Sequence, residues 1–320
     1  MSLNGRGAPM PEARFQVIAA GPHVSVQDAG RPGLMRFGVP GSGPMDRLSF
    51  AMANAALGNP EGAPGIEISV GGLELECLAG PVTVAVAGGG FIVTLDAVRS
   101  VSWVVLTVQQ GQRLRIAPGH WGSWTYLCFA GALQARDWLG SVATHALSGS
   151  GGGMLVPGQV LTVAGAQRRE DRVIACPVIA RPRALLHVVP GPQDRFFDAA
   201  AMAALLGEPF SLSDAYDRMG VRLRGPLLTP VARLDMPSEP VARGSVQVAG
   251  DGVATVLLAD HQTTGGYPKI ATVLAGDLDG FAQLRPREIV RFHAVTAVQA
   301  VALARQRAVV RARVLAGLAR

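Results

Sequence analysis

Val108-Gln109-Gln110-Gly111-Gln112-Arg113-Leu114-Arg115-Ile116 is the stretch on which the fold class turns. Gly111 has an apolar residue three positions before it, Val108, and two more at three and five positions after it, Leu114 and Ile116. Arginines fill the positions between. Alternation at period two marks a strand with one covered face, and the glycine supplies the turn that feeds it. The spacing recurs around Gly158, with Leu155, Leu161 and Val163, and around Arg287, with Leu284, Val290 and Phe292. A turn feeding an alternating strand, used three times, describes a β-rich chain, and two of the copies each close a half of it.

Outward from these turns, 40 glycines and 22 prolines in 320 residues, with only 16% charged residues, favour many short strands over long helices. Arg14–Gln27 reads as strand ending in a turn. Strands are expected at Val82–Ala87, Val101–Val108, Arg113–Ile116, Trp124–Phe129 and Val160–Val163. Met45–Leu57 has helical spacing and is stopped by Asn59-Pro60. The polar, basic stretch Ala166–Arg183, with Pro177 and Pro182, places a boundary between a domain at 14–180 and a second at 184–293. The second half reads as a strand at Ala184–Val189, a short helix at Phe196–Leu206, strands at Ser245–Val248, Ala254–Ala259, Ile270–Ala275 and Ile289–Phe292, and a closing helix over 294–320.

Composition also excludes. No apolar run reaches the roughly 18 residues of a membrane span, and Met1–Arg14 lacks the apolar core of a signal peptide. Met1-Ser2-Leu3 reads as a cloning remnant, with Met10 as the natural start. Cys77, Cys128 and Cys176 are isolated and odd in number, with no Cys-x-x-Cys or paired-His spacing. They read as free thiols in a reducing cytoplasm, with neither a disulfide framework nor a metal site. The net charge of +6 gathers at the C-terminal end, where Arg305, Arg307, Arg311, Arg313 and Arg320 go round the helix without forming one basic stripe. No nucleic-acid partner is expected, and the interleaved Val301, Leu303, Val310, Val314 and Leu318 suit a packing or partner helix.

The segment richest in chemistry is Asp260-His261-Gln262-Thr263-Thr264-Gly265-Gly266-Tyr267-Pro268-Lys269, between two apolar strands. Two glycines let backbone N–H groups approach a ligand, so the loop suits an anion or a developing oxyanion. Lys269 is the only lysine against 28 arginines, which points to a need for an ammonium, as point charge or base. Asp28-Ala29-Gly30-Arg31-Pro32-Gly33 and Gly41-Ser42-Gly43-Pro44-Met45-Asp46-Arg47 form a second candidate. Ser42 and Asp46 stand at a helix start, where they cap it, present it to an anionic group such as carboxybiotin, or both. Alternation of Ile66, Ile68 and Val70 favours a solvent-facing Glu67, with a buried acid facing a cleft as the alternative. Asp217-Arg218-Met219-Gly220 and Ser238-Glu239-Pro240 read first as loop ion pairs. No P-loop, dinucleotide fingerprint or Gly-x-Ser-x-Gly elbow is present, and Lys269 is not in a biotin-carrying context.

These segments, in order, resemble a known family. They are Val26-Gln27-Asp28-Ala29-Gly30-Arg31-Pro32-Gly33, Gly38-Val39-Pro40, Ser42-Gly43-Pro44-Met45-Asp46, Ala53-Asn54, Gly58-Asn59-Pro60, Glu67, Gly71-Gly72, Pro190-Gly191-Pro192-Gln193-Asp194, Asp217-Arg218-Met219-Gly220, Gly225-Pro226, Ser238-Glu239 and Gln262 through Val273. The family is variously called allophanate hydrolase subunit 2, KipA or PxpC (the C-type subunit of 5-oxoprolinase), and is similar to part of the biotin-dependent carboxyltransferase domain of urea amidolyase. The resemblance implies a mostly β fold of two cyclophilin-like β-barrel units with a few short helices and a C-terminal helix. It implies a cytoplasmic hydrolase component paired with a KipI-like chain and, in 5-oxoprolinase complexes, with a LamB/YcsF-like chain as well, ATP driving ring opening of 5-oxoproline to glutamate. The alternatives are a urea carboxylase-type carboxyltransferase component, with biotin carried on another chain, and a non-catalytic KipA-like regulator of a KipI-like inhibitor.

Carried onto this sequence, the resemblance implies a catalytic set of Asp46, Glu67, Gln262, Thr264, Tyr267 and Lys269. The implied substrate-binding set is Asp28, Arg31, Ser42, Asn54, Arg218, Ser238, Glu239, Thr263, Gly265 and Gly266. The lone-lysine turn and the amino-terminal aspartate loops are expected to line a common hollow, either within this chain or across its contact with a companion chain. The chain departs from the family at Gly90, where Thr-Gly-Ala-Asp becomes Ala87-Gly88-Gly89-Gly90, at Val142 within Gly140-Ser141-Val142-Ala143, and at His261 in place of arginine. A carboxylate and two guanidinium groups are absent from expected places, and such arginines bind carboxylates and phosphates bidentately.

Overall fold

A computed structural model describes residues 11–231 and 236–318 of the chain. The expectations for Met1–Met10 and for Arg320 lie outside the described residues. The first part folds as a seven-stranded and a six-stranded antiparallel sheet. They enclose a core of Phe15, Val17, Ile66, Ile68, Leu75, Val84, Leu114, Leu127 and Phe129. Strands Val82–Ala87 and Trp124–Phe129 are buried at every position. Their second face lies under helix α1 (Arg47–Ala56), of which all residues but Arg47 are buried. A strand covered on both faces loses the in–out alternation of an exposed sheet.

The second part is a closed barrel. Its strands, in order around the wall, are Leu185–Pro190, Lys269–Val273, Ser245–Val248, Ala254–Leu257, Gly220–Arg224, Phe210–Tyr216 and Ile289–Ala294, the last pairing in parallel with the first. Closure leaves no open strand edge. Helices α2 (Ala199–Gly207), α3 (Ala275–Ala282) and α4 (Ala297–Leu318) pack around it. One apolar cluster runs from α1 and the outer face of the six-stranded sheet through the barrel to Leu315 of α4, so the two parts share a core. The mostly β fold with short helices and a C-terminal helix is as the sequence implied. No helix among the described residues is long and apolar enough to cross a membrane.

The three repeated turns are the same structure. Gly111, Gly158 and Arg287 adopt left-handed φ of 85°, 85° and 75°. Their N–H groups donate to Cys77, Val17 and Leu212 carbonyls at 2.7, 2.8 and 2.7 Å. In each, the next side chain (Gln112, Gln159, Glu288) accepts from the backbone N–H three residues back, at 2.8, 3.2 and 2.6 Å. This polar residue is a second part of the repeat that the apolar spacing alone does not show. Arg287 adopts the left-handed conformation despite its Cβ, which costs about 1–2 kcal/mol.

Elsewhere capping and backbone turns move the expected boundaries. Trp103, at φ 73°, splits the run expected at Val101–Val108 into strands Val98–Val101 and Val104–Val108. α2 starts at Ala199, three residues later than expected, because Asp198 caps it by accepting from Ala201 N at 2.8 Å. The last strand runs on to Ala294, so α4 begins at Ala297, with the Thr296 hydroxyl accepting from Gln299 N at 3.2 Å. α3 stands where the sequence reading ends a strand at Ala275, since the strand stops at Val273.

Candidate active site on the outer face of the barrel

Two polar centres arise from the candidate residues, and they differ in access. The first lies between the two parts and is closed. Arg218, on the turn before strand Gly220–Arg224, is 1% exposed. Its guanidinium meets Asp260 at 2.9 and 3.0 Å, donates to Gly43 O at 2.7 Å and pairs with Glu67 Oε1. Glu67 Oε2 accepts from Met45 N at 2.7 Å and from the Tyr126 hydroxyl at 3.0 Å, and that hydroxyl accepts from Asp46 N at 2.7 Å. Asp46 caps α1 through Ser49 N at 2.9 Å and receives Gln283 Nε2 at 2.8 Å.

Burial sets the charges here. It pushes Glu67 up against the pull of Arg218, and pushes Tyr126 well above a phenol's usual range. Burial also raises Asp260, but Arg218 and the hydrogen bonds to the carboxylate, that of the Ala146 N–H among them, together hold it below its ordinary value. Burial, with Asp279 nearby, pushes Asp46 up to about 7 against three donors that favour its ionised form. Glu67 is not solvent-facing, as alternation favoured, because α1 and the barrel cover the second face of its sheet. Fully buried and fully paired, Glu67 and Asp46 brace the junction of the two parts, and nothing in their geometry offers them to a reacting molecule.

The second centre is open. A cavity of about 520 Å³ on the outer face of the barrel wall is lined by Gln247, Gln262, Tyr267, Tyr216, Met219, Leu257, Asp214, Asp217 and Arg222, among others. All its lining residues fall between 214 and 267, so the amino-terminal aspartate loops do not share this hollow with the lone-lysine loop. Gln262 Nε2 donates to Gln247 Oε1 at 3.0 Å, and Gln247 Nε2 donates to Tyr267 O at 3.4 Å. A Cβ on Gly265 would come within 2.7 Å of Gln247 Nε2, the movable end of that side chain. Thr264–Gly265 pairs with Glu239–Pro240, which brings Ser238 beside Gly266. Lys269 is buried, with Nζ 3.5 Å from Glu239 Oε2, and Gln193 Nε2 donates to the same oxygen at 2.6 Å. Thr263 accepts from Val241 N at 3.0 Å through its carbonyl.

The remaining candidates hold loops. Asp28 accepts from Ser141 Oγ at 2.6 Å and from Val142 N at 2.8 Å. Arg31, beneath Trp138, donates to three carbonyls, those of Trp138, Ser141 and Ala143. Asn54 donates to Ala63 O at 3.0 Å behind α1. Ser42 is buried at φ 52°, which suits the tight loop before α1. The departures are built in as well. A Cβ on Gly90 would lie 2.4 Å from Trp121 Nε1, so Trp121 fills the place of the absent carboxylate. His261 Nδ1 lies 2.7 Å from Gln262 O, and burial, with Arg243 nearby, lowers its pKa. The sequence reading passed over Gln193 and Gln247 as site residues, although Gln247 stands out as the one amide in the strand Ser245–Val248. Tyr126 and Gln283 carry no signal, lying in apolar surroundings.

Residues 37–294 match the family described as "Carboxyltransferase domain, subdomain A and B". The chain belongs to this family. It is 32% identical over 287 residues to the C-type subunit of 5-oxoprolinase from Haemophilus influenzae, covering 88% of this chain and 92% of that protein. Its Escherichia coli counterpart, of the same name, is 33% identical, covering 84% and 87%. The crystal structure of the K. lactis urea amidolyase superposes with a TM-score of 0.84 at 26% identity, over 98% of this chain but 20% of that one. The family thus includes both free-standing subunits and segments of much longer enzymes.

Proposed function

We propose that this carboxyltransferase-family chain is the C-type component of a 5-oxoprolinase-type hydrolase. In that complex it acts with a KipI-like partner chain and a LamB/YcsF-like partner chain in the cytoplasm. The near end-to-end match with the two 5-oxoprolinase proteins carries this reading. The outer barrel cavity supports it chemically. A lactam offers an N–H and a C=O side by side, and the paired amides of Gln262 and Gln247 offer the complementary donor and acceptor. Arg222, which lines the cavity and pairs with Asp251 at 2.6 Å, would receive the substrate carboxylate by exchanging that partner. Lys269, beside Gln247 in the wall and held by Glu239, positions the 262–269 loop and adds positive potential where charge develops on the opening amide. ATP is assigned to the assembled complex, since the chain has no P-loop and its one lysine is engaged with Glu239.

The test is co-expression with the cognate partner chains, scored for 5-oxoproline-dependent ATP hydrolysis; that activity is expected. The structural likeness to urea amidolyase favours one other reading, a carboxyltransferase taking carboxybiotin from another chain. Silence with 5-oxoproline, together with urea-dependent turnover of carboxybiotin, selects it. Silence in both, with binding to a KipI-like inhibitor, selects the regulator.

A further inference from the structure

Helix α4 carries the interleaved apolar residues that the sequence assigns to a packing or partner helix, and the structure divides them. Leu315 is buried in the shared core, and Val314 and Leu318 pack against it. The same side is tied down by Arg307 to Asp277 at 2.9 Å, by Arg311 to Glu61 at 2.6 Å, and by Leu318 O, which accepts from Arg172 Nη2 at 2.8 Å. These ties hold α4 against the fold from Arg307 to Leu318.

The opposite side is turned to solvent, and it is not polar. Stepped at about 100° per residue, Val298, Val301, Ala302, Val309, Ala312 and Ala316 fall within an arc of about 100°. All six are exposed, the valines by 81%, 51% and 60%. A helix on a protein surface ordinarily turns charged and polar side chains away from the core. Here Arg305 is the one charged residue within the arc, and Arg313 flanks it farther along the helix. Neither pairs with a carboxylate among the described residues, and α4 itself contains no Asp or Glu. α4 also lies beyond residues 37–294, the part of the chain matched to the family.

We propose that this face docks an amphipathic helix of a partner protein, one with an apolar stripe and carboxylates placed to meet Arg305 and Arg313. The valines give the arc ridges, and the alanines leave low places where a second helix can come close. Such a partner covers the apolar surface and answers the two guanidinium groups at once. A second copy of α4 would cover the surface but bring arginines to arginines, with no acid on either helix. An anionic membrane would answer the arginines, but Val and Ala are short, and helices that lie in a lipid surface use Trp, Phe and Leu to reach the acyl chains.

Fluorescence anisotropy of labelled synthetic peptides with the full chain, at fixed ionic strength, tests this. Two probes share one helical Leu/Ala stripe, flanked by Glu in one and by Lys in the other. A third scrambles the Glu-flanked sequence so that the stripe is lost. The Glu-flanked helix is expected to bind saturably, one per chain, and the other two are expected not to bind. Arg305→Glu is expected to weaken it by about tenfold or more and to admit the Lys-flanked helix. Val301→Gln combined with Val309→Gln is expected to abolish binding. These positions are exposed, so the unfolding midpoint is expected to stay unmoved, which separates loss of docking from loss of fold. Failure of the Glu-flanked helix to saturate, equal binding of the scrambled peptide, or undiminished binding by Arg305→Glu overturns the proposal. Self-association of the free chain that the double valine variant removes also overturns it, by assigning the face to a second copy. Binding to phosphatidylcholine–phosphatidylglycerol vesicles that the same variant removes overturns it in favour of a lipid surface.

Discussion

The Arg218 junction and the cavity on the barrel's outer face are both built from the segments that carry the family resemblance, yet water reaches only one of them. At the junction, Arg218, Glu67, Asp260, Asp46 and Tyr126 are at most 1% exposed. Each charged group there is answered by another charge or a backbone donor. At the outer face, Gln262 is half-buried, Tyr267 is 50% exposed, and a cavity opens between them. The same motif density therefore marks two different kinds of constraint. A closed ionic knot specifies how the sheets meet the barrel, whereas an open set of amides can exchange its partners for a ligand's.

Substitutions should separate the two. The largest stability effect is expected from Arg218→Met, which strands Glu67 and Asp260 as buried carboxylates and should cost about 3–5 kcal/mol, read as a fall in the urea midpoint. A loss below about 1 kcal/mol would mean the knot is not what joins the two parts. Lys269→Met should do the reverse. It should cut kcat/KM of the reconstituted complex about a hundredfold, in the range seen on removing one oriented donor, while stability moves by no more than about 1 kcal/mol, because Glu239 is open enough to stay hydrated.

A pH effect is expected at the junction. Asp46 holds its proton up to about pH 7 in the fold, against an ordinary value near 4 when unfolded. Its contribution to stability is therefore full below about pH 4 and lost as pH rises towards 7. Asp46→Asn keeps a good N-cap and should flatten the fall of unfolding free energy over that window; an unchanged slope would place the proton elsewhere. Tyr267→Phe is the smallest change, with stability expected within about 0.5 kcal/mol at so exposed a position and any effect confined to KM.

The sequence announced the strands through apolar alternation and the α1 start through Asp46, because both signals are local. The repeat around Gly111, Gly158 and Arg287 was legible for the same reason, and the structure adds its capping Gln112, Gln159 and Glu288. Glu67 was misread because alternation reports one face of a strand and is silent on what covers the other. Whether the aspartate loops and Lys269 share a hollow depends on how the barrel meets the sheets, which no local pattern encodes. Gln193 and Gln247 become visible as site residues only once Lys269–Val273 pairs with Ser245–Val248 and lies beside the 191–193 turn.

The most direct test of the account is a paired measurement on Gln262→Ala: 5-oxoproline-dependent ATP hydrolysis by the reconstituted complex, and the urea midpoint of the isolated chain. The account predicts a loss of activity of about a hundredfold or more with an unmoved midpoint. Full activity in that variant would contradict it, and would remove the outer barrel cavity as the place where substrate is held.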